Sequence, residues 1–223
     1  MKALHDNHFP NESADYRTAR NKLLAAEIAL RRQIEEVAKQ RRSLPLGGKL
    51  KEDYIFSENG GKKTKFSELF QNEKNILVVY SMMFDPKWEV TCPMCNSIVD
   101  ALHGNARQIT QQINLAVVAK APIEKVLTYA NKAGWKHLRI LSSLDNNYNT
   151  DYFGESDSGQ MPMINVFSKK GNDIYHTWGS EVRFAPADPG QNERIADIIW
   201  PLWNVLDLTP EGRGKEWFPK ITY

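Results

Sequence analysis

The only two cysteines in this 223-residue chain stand three positions apart, in Cys92-Pro93-Met94-Cys95. Two thiols at that spacing can exchange disulfides, sense oxidants or supply half of a metal site. Exchange needs an accessible, stabilised thiolate and a second thiol close enough to resolve the mixed disulfide. Pro93 favours the first position of a helix, which places Cys92 at the N-cap. A sulfur there can accept hydrogen bonds from the N–H of Met94 or Cys95 and lies at the positive end of the helix dipole, so a lowered pKa is expected for Cys92. Cys95, one turn further in, is expected to be less exposed and to resolve. A structural zinc site needs two further ligands, and no other cysteine exists to provide them. His5, His8, His103, His137 and His176 show no paired ligand spacing, and His103 reads as a helix-surface residue. Inert, packed thiols are the remaining structural reading. The redox reading calls for no cofactor and no metal.

A second element is Gln160-Met161-Pro162-Met163, just before an apolar run. Proline cannot donate to a strand ladder, so Pro162 marks a strand entrance.

These residues need elements to position them. Ile76-Leu77-Val78-Val79-Tyr80-Ser81 reads as a strand buried on both faces, and 95–112 as a helix with Ile98, Leu102, Ala106 and Ile109 on one side. Leu115 to Val118 is the next strand. Pro122 opens a helix that ends before Gly134, and Leu138 to Leu141 is a short strand. Earlier, residues 53–57 and 63–66 flank Asn59-Gly60-Gly61 as a hairpin. Later, Met163 to Phe167 and Ile174 to Trp178 flank Lys170-Gly171-Asn172 as another. The polar stretch 142–160 reads as a loop or lid. A last helix is expected from about Glu193 to Leu206, kinked or broken at Pro201. The aromatic tail from Thr209 to Tyr223 is expected to wrap the domain. Strands alternating with helices imply an α/β sheet covered on both faces.

Residues 13–42 predict one long charged helix with a narrow apolar stripe at Leu23, Leu30, Ile34 and Val37, and with Glu27–Arg31 and Glu35–Lys39 pairs. Such a helix can pack on its own domain, form a homodimer or bind another partner. The expected organisation is a helical extension over 1–48, an α/β domain over 49–208 and a packed tail over 209–223. With 29 basic and 27 acidic residues the formal charge is +2, too small to favour nucleic acid or a membrane surface. The start of the chain lacks a signal-peptide core, and the run Ile76 to Phe84 is too short to span a bilayer, so a cytoplasmic location is expected.

With CxxC at a strand-to-helix junction and Pro162 before a closing hairpin, the chain resembles the thioredoxin superfamily. The resemblance implies a three-layer sandwich around a mixed sheet, with a cis-proline facing the dithiol and Met161-Pro162 contacting substrate. The additional helix and strand at about 122–142 and the Phe66-Ser67-Glu68-Leu69-Phe70 segment resemble peroxiredoxins. Thioredoxins carry a buried acid in the strand before the dithiol; here that strand reads Val78-Val79-Tyr80, and no proton acceptor for Cys95 is identified. The whole chain resembles a bacterial thioredoxin-like family of unknown function. The matching stretches include Arg41-Arg42-Ser43-Leu44-Pro45, Trp178-Gly179-Ser180-Glu181 and Ala185-Pro186-Ala187-Asp188-Pro189-Gly190. The implied activity is thiol–disulfide exchange by Cys92 and Cys95 on a protein or small-molecule disulfide. The alternatives are peroxide reduction through a Cys92 sulfenate, or a binding protein that keeps the fold without the chemistry.

Overall fold

The computed structural model describes residues 4–190, 200–214 and 216–221. The chain divides into two compact units, Met1–Pro45 and Leu46–Tyr223. The first is built on helix α1 (Ala14–Arg42), whose N-cap Ser13 accepts a hydrogen bond from the Tyr16 N–H. Asp15 in its first turn and Lys39, Arg41 and Arg42 in its last complement the helix dipole. Glu27 pairs with Arg20 at 2.9 Å rather than with Arg31, and Glu35 and Lys39 form no ion pair among the described residues. Long exposed side chains gain too little from such pairs to hold one geometry.

In the second unit β1 (Ile55–Ser57) and β2 (Lys63–Lys65) form the opening hairpin. They are followed by β3 (Ile76–Met82), α2 (Pro93–Gln112), β4 (Asn114–Ala119), α3 (Ile123–Ala133) and β5 (Arg139–Ser142). Next come α4 (Tyr148–Asp151), the small hairpin β6 (Glu155–Ser156) and β7 (Gly159–Gln160), the long hairpin β8 (Met163–Lys170) and β9 (Asp173–Gly179), and α5 (Pro201–Leu206). Seven strands form one sheet in the order β2-β1-β5-β4-β3-β8-β9. β3, β4 and β5 run parallel, and β8 lies antiparallel against β3. Every residue of β4 is buried, as a central parallel strand covered on both faces requires.

One face of the sheet carries α2 and α3, whose Ile98, Val99, Val126 and Ala130 pack with Tyr80, Val117 and Ile164. The opposite face carries Tyr54, Phe66, Leu69 and Tyr148 against Leu77, Val79, Val118 and Phe167. This is the thioredoxin-like three-layer arrangement.

Two expectations change. The stretch 142–160 is not one open loop: it holds α4 and the β6–β7 hairpin. Pro122 is the cap rather than the first residue of α3, and Gly134 ends that helix at φ 78°. Pro201 starts α5, in keeping with the break expected there: the residue before a proline is pushed out of the helical region, and Trp200 is extended (φ −118°, ψ 92°). The part of that expected helix over 191–199, and Tyr223, lie outside the described residues. In the tail, Trp217 and Phe218 contact Trp203 edge-on at 6.0 and 6.5 Å.

Candidate active site

The dithiol sits where β3 hands over to α2. Cys92 is the N-cap residue, with φ −60° and ψ 125°, and Pro93 begins the helix. The Cys92 N–H donates to the Met83 carbonyl at 3.4 Å, and the Asn96 N–H donates to the Cys92 carbonyl at 2.9 Å. The two cysteines are not joined in a disulfide; Cys92 is half-buried and Cys95 is 1% exposed. The expected side-chain cap is absent, since the Cys92 sulfur accepts no hydrogen bond from the first helical N–H groups. It is engaged with the Cys95 thiol instead.

That contact sets the proton inventory of the pair. Hydrogen bonding to the Cys92 sulfur, burial, and the negative charge Cys92 can carry all push the Cys95 thiol well above its ordinary pKa. The Tyr80 hydroxyl and the Met83 N–H act in the opposite direction. Of the two sulfurs, Cys95 is therefore held in its protonated form. Tyr80 stands in the strand where an acid was missing from the sequence. Its phenol favours a thiolate at Cys95 without being a base at neutral pH.

A buried polar network brackets the dithiol. Thr91 Oγ1 donates to Asn96 Oδ1 at 3.1 Å, and Tyr129 from α3 donates to the same oxygen at 2.9 Å. Asn96 Nδ2 reaches Asp100 Oδ2 at 3.5 Å, and Trp135 Nε1 donates to Asp100 Oδ1 at 2.7 Å. Thr91, Asn96, Tyr129 and Trp135 are all buried, so these bonds hold polar atoms that water does not reach. None of the four was singled out as a site residue from sequence, although Asn96 directly follows Cys95.

Met161 and Pro162 enter β8 beside this loop. β3 and β8 register Ser81 opposite Met163, and continuing that register sets Met82 opposite Pro162 and Met83 opposite Met161. Gln160 extends the pairing with its side chain: Oε1 accepts from the Phe84 N–H at 2.8 Å, and Nε2 donates to the Phe84 and Lys120 carbonyls at 3.3 Å each. The Met161 N–H donates to Gly154 O at 2.9 Å. The described residues contain no cis peptide bond, so Pro162 is trans and departs from the cis-proline that the resemblance implies. Trans is the lower-energy isomer of an X–Pro bond, by about 0.5–1 kcal/mol.

His103 lies on α2 and is partly exposed. Its ring stacks on His137 with centroids 5.4 Å apart and planes 10° from parallel. No group of three or more His, Cys, Asp or Glu side chains among the described residues could hold a metal ion. Nor is any described helix long and apolar enough to cross a membrane.

Residues 6–223 match the family described as "Bacterial protein of unknown function (DUF899)". The chain belongs to that family. No curated protein matches it. Among solved structures, a mutant of Xanthomonas campestris peroxiredoxin Q is 17% identical, with a TM-score of 0.45 over 61% of this chain and 85% of that one. Reduced Prx3 from Vibrio vulnificus is 13% identical, with a TM-score of 0.48 over 71% and 98%. The pneumococcal exposed lipoprotein thioredoxin Etrx1 from Streptococcus pneumoniae is 12% identical, with a TM-score of 0.43 over 66% and 98%. No chemistry of this DUF899 chain follows from likenesses at that level.

Proposed function

We propose that this DUF899 protein is a thiol–disulfide oxidoreductase acting through Cys92 and Cys95 in a reducing, cytoplasmic setting. The observation that carries the reading is the contact between a half-buried cysteine at a helix N-terminus and a buried, proton-holding thiol one turn inside. Cys92 attacks a substrate disulfide as the thiolate, forming a mixed disulfide and releasing the first substrate sulfur as a thiolate. Cys95 gives up its proton and attacks the Cys92 sulfur, which closes the Cys92–Cys95 disulfide and releases the second substrate thiol. The substrate gains two electrons, and a thiol reductant returns them to the protein. Residues one turn apart are within the reach of a disulfide, so closure requires no unwinding of α2.

Met161 and Pro162 are proposed to line the substrate path, because the register brings them level with Met82 and Met83 next to the Cys92 loop. A peroxide is a second candidate oxidant: Cys92 is not fully buried, which suits a small molecule, and Cys95 can condense with the resulting sulfenate. Helix α1 is proposed to form a homodimer through its stripe, since Leu23, Leu30 and Ile34 are each more than half exposed. The enzymatic test is reduction of insulin or of a glutathione mixed disulfide. Turnover lost in Cys92→Ser supports the reading, and peroxide consumption without disulfide reduction selects the second one.

A further inference from the structure

A cavity of about 300 Å³ lies on the far side of the sheet from the dithiol helix. Met163 and Asn165, which line it, alternate along β8 with Ile164 and share the face of Phe167. The remaining wall includes Tyr152, Phe153, His176 and Glu181, together with Lys49, Lys51 and Asp151. Thiol chemistry uses none of these groups. The cavity also absorbs a stretch that chemistry had left idle, Trp178-Gly179-Ser180-Glu181.

The lining is built rather than incidental. Asn165, 1% exposed, donates from Nδ2 to the Tyr152 carbonyl at 3.0 Å, which turns its Oδ1 toward His176 Nε2 at 2.9 Å. A neutral His176 must then carry its proton on Nε2 and offer Nδ1 as an acceptor. Burial keeps the ring neutral by lowering its pKa, with the charge of Glu181 acting in the other direction. The backbone is drawn in tightly around this pair. A Cβ on Gly47 would collide with the His176 carbonyl oxygen, and one on Gly179 would stand 3.0 Å from Met163 Cε and 3.2 Å from Asn165 Oδ1. Phe153 is held at φ 57° with its ring exposed and set edge-on to Phe184 at 5.6 Å. A left-handed conformation costs a non-glycine residue on the order of 1 kcal/mol or more, and such residues cluster where a ligand is clamped.

Charge decides what the cavity suits. Lys49 is paired with Asp173 at 2.7 Å, and Lys51 with Asp151 at 2.5 Å, where Asp151 also accepts from the Tyr54 hydroxyl. Glu181, an exposed carboxylate of the lining, has no cationic partner among the described residues and lies beside aromatic faces. We propose that this cavity binds a small organic cation, an aromatic or alkyl amine. Its ammonium donates to Glu181 and to His176 Nδ1, and its apolar part rests on Tyr152 and Phe153. Cation–π attraction adds to the ion pair in such a setting. The volume is at the low end for small-molecule sites and fits a ligand of roughly ten heavy atoms.

The test is titration of the full chain with benzylamine and, separately, butylamine near neutral pH, followed by calorimetry and by the His176 ring resonances. Saturable binding is expected, with the His176 signals moving and the affinity falling about tenfold or more in Glu181→Gln. Glu181→Gln is isosteric, and an unchanged thermal melt certifies its fold. Absence of saturable binding by both amines overturns the proposal. So does binding that Glu181→Gln leaves intact, or preferential uptake of acetate or phosphate, which identifies an anion site built on Lys49 and Lys51.

Discussion

Thr91 and Asn96 are hydrogen-bonded at 3.1 Å, tying the residue before Cys92 to the residue after Cys95. Tyr129 donates to the same Asn96 oxygen at 2.9 Å, which joins that clasp to α3. The dithiol is thus held from both sides by a buried network whose members depend on one another.

Asn96→Ala removes the shared acceptor and leaves the Thr91 and Tyr129 hydroxyls without it. The expected cost is about 1–3 kcal/mol, read as a lower urea midpoint with an unchanged m-value. Thr91→Ser keeps the donor and is expected to stay close to the parent stability, whereas Thr91→Val behaves like a mild form of Asn96→Ala.

The Cys95 thiol is held up in pKa by the Cys92 sulfur first and by burial second. In Cys92→Ser its pKa is expected to fall, because the negative neighbour is gone, yet to remain above the ordinary thiol value because burial persists. Ultraviolet thiolate absorbance against pH reads both quantities. In the reduced parent protein, iodoacetamide is expected to label Cys92 and to reach Cys95 only after unfolding.

Glu58 follows β1 and is gripped by Arg139 at the start of β5, with Nε–Oε1 at 2.7 Å and Nη2–Oε2 at 3.1 Å. Burial opposes its charge, but the hydrogen bonds from Arg139 and Thr64 outweigh it and hold the carboxyl at about 2 instead of 4.5. A depressed carboxyl pKa contributes stability in full above the unfolded value, and that contribution is lost as pH falls from about 4.5 toward about 2. Thermal melts across that window are expected to drop more steeply for the parent than for Glu58→Gln, which lacks the titrating group.

Leu30 is 60% exposed on α1. If the stripe pairs two copies, Leu30→Glu shifts the mass measured by light scattering from dimer to monomer, with the melt of the α/β unit unchanged. A parent protein that is monomeric at every concentration rules that pairing out.

Much of this site could be read from residue types. Cys92 at a helix start followed from Pro93, because a ring that fixes φ and lacks N–H fits only the first turn. The central strands followed from unbroken apolar runs, and the closing hairpin from Lys170-Gly171-Asn172 between two such runs. Other features depended on contacts across the fold. The clasp on the dithiol joins Thr91, Asn96 and Asp100 to Tyr129 and Trp135, up to 35 positions away, and local spacing does not encode such a contact. Gln160 looked like one more polar loop residue, yet its amide completes the β3–β8 pairing at Phe84. The side-chain cap expected on Cys92 is absent, and its sulfur engages the Cys95 thiol instead.

The central claim is that Cys92 and Cys95 form a reversible redox couple with Cys92 as the attacking thiolate. The most direct measurement is equilibration of the native protein in graded mixtures of reduced and oxidised glutathione, with acid trapping and intact mass. The account predicts a single two-electron transition to a species two hydrogens lighter. It further predicts that Cys95→Ser stalls as a glutathione adduct on Cys92, and that Cys92→Ser forms neither species. Thiols that stay reduced throughout, or a Cys92 that titrates near the ordinary value of ~8.5, contradict it.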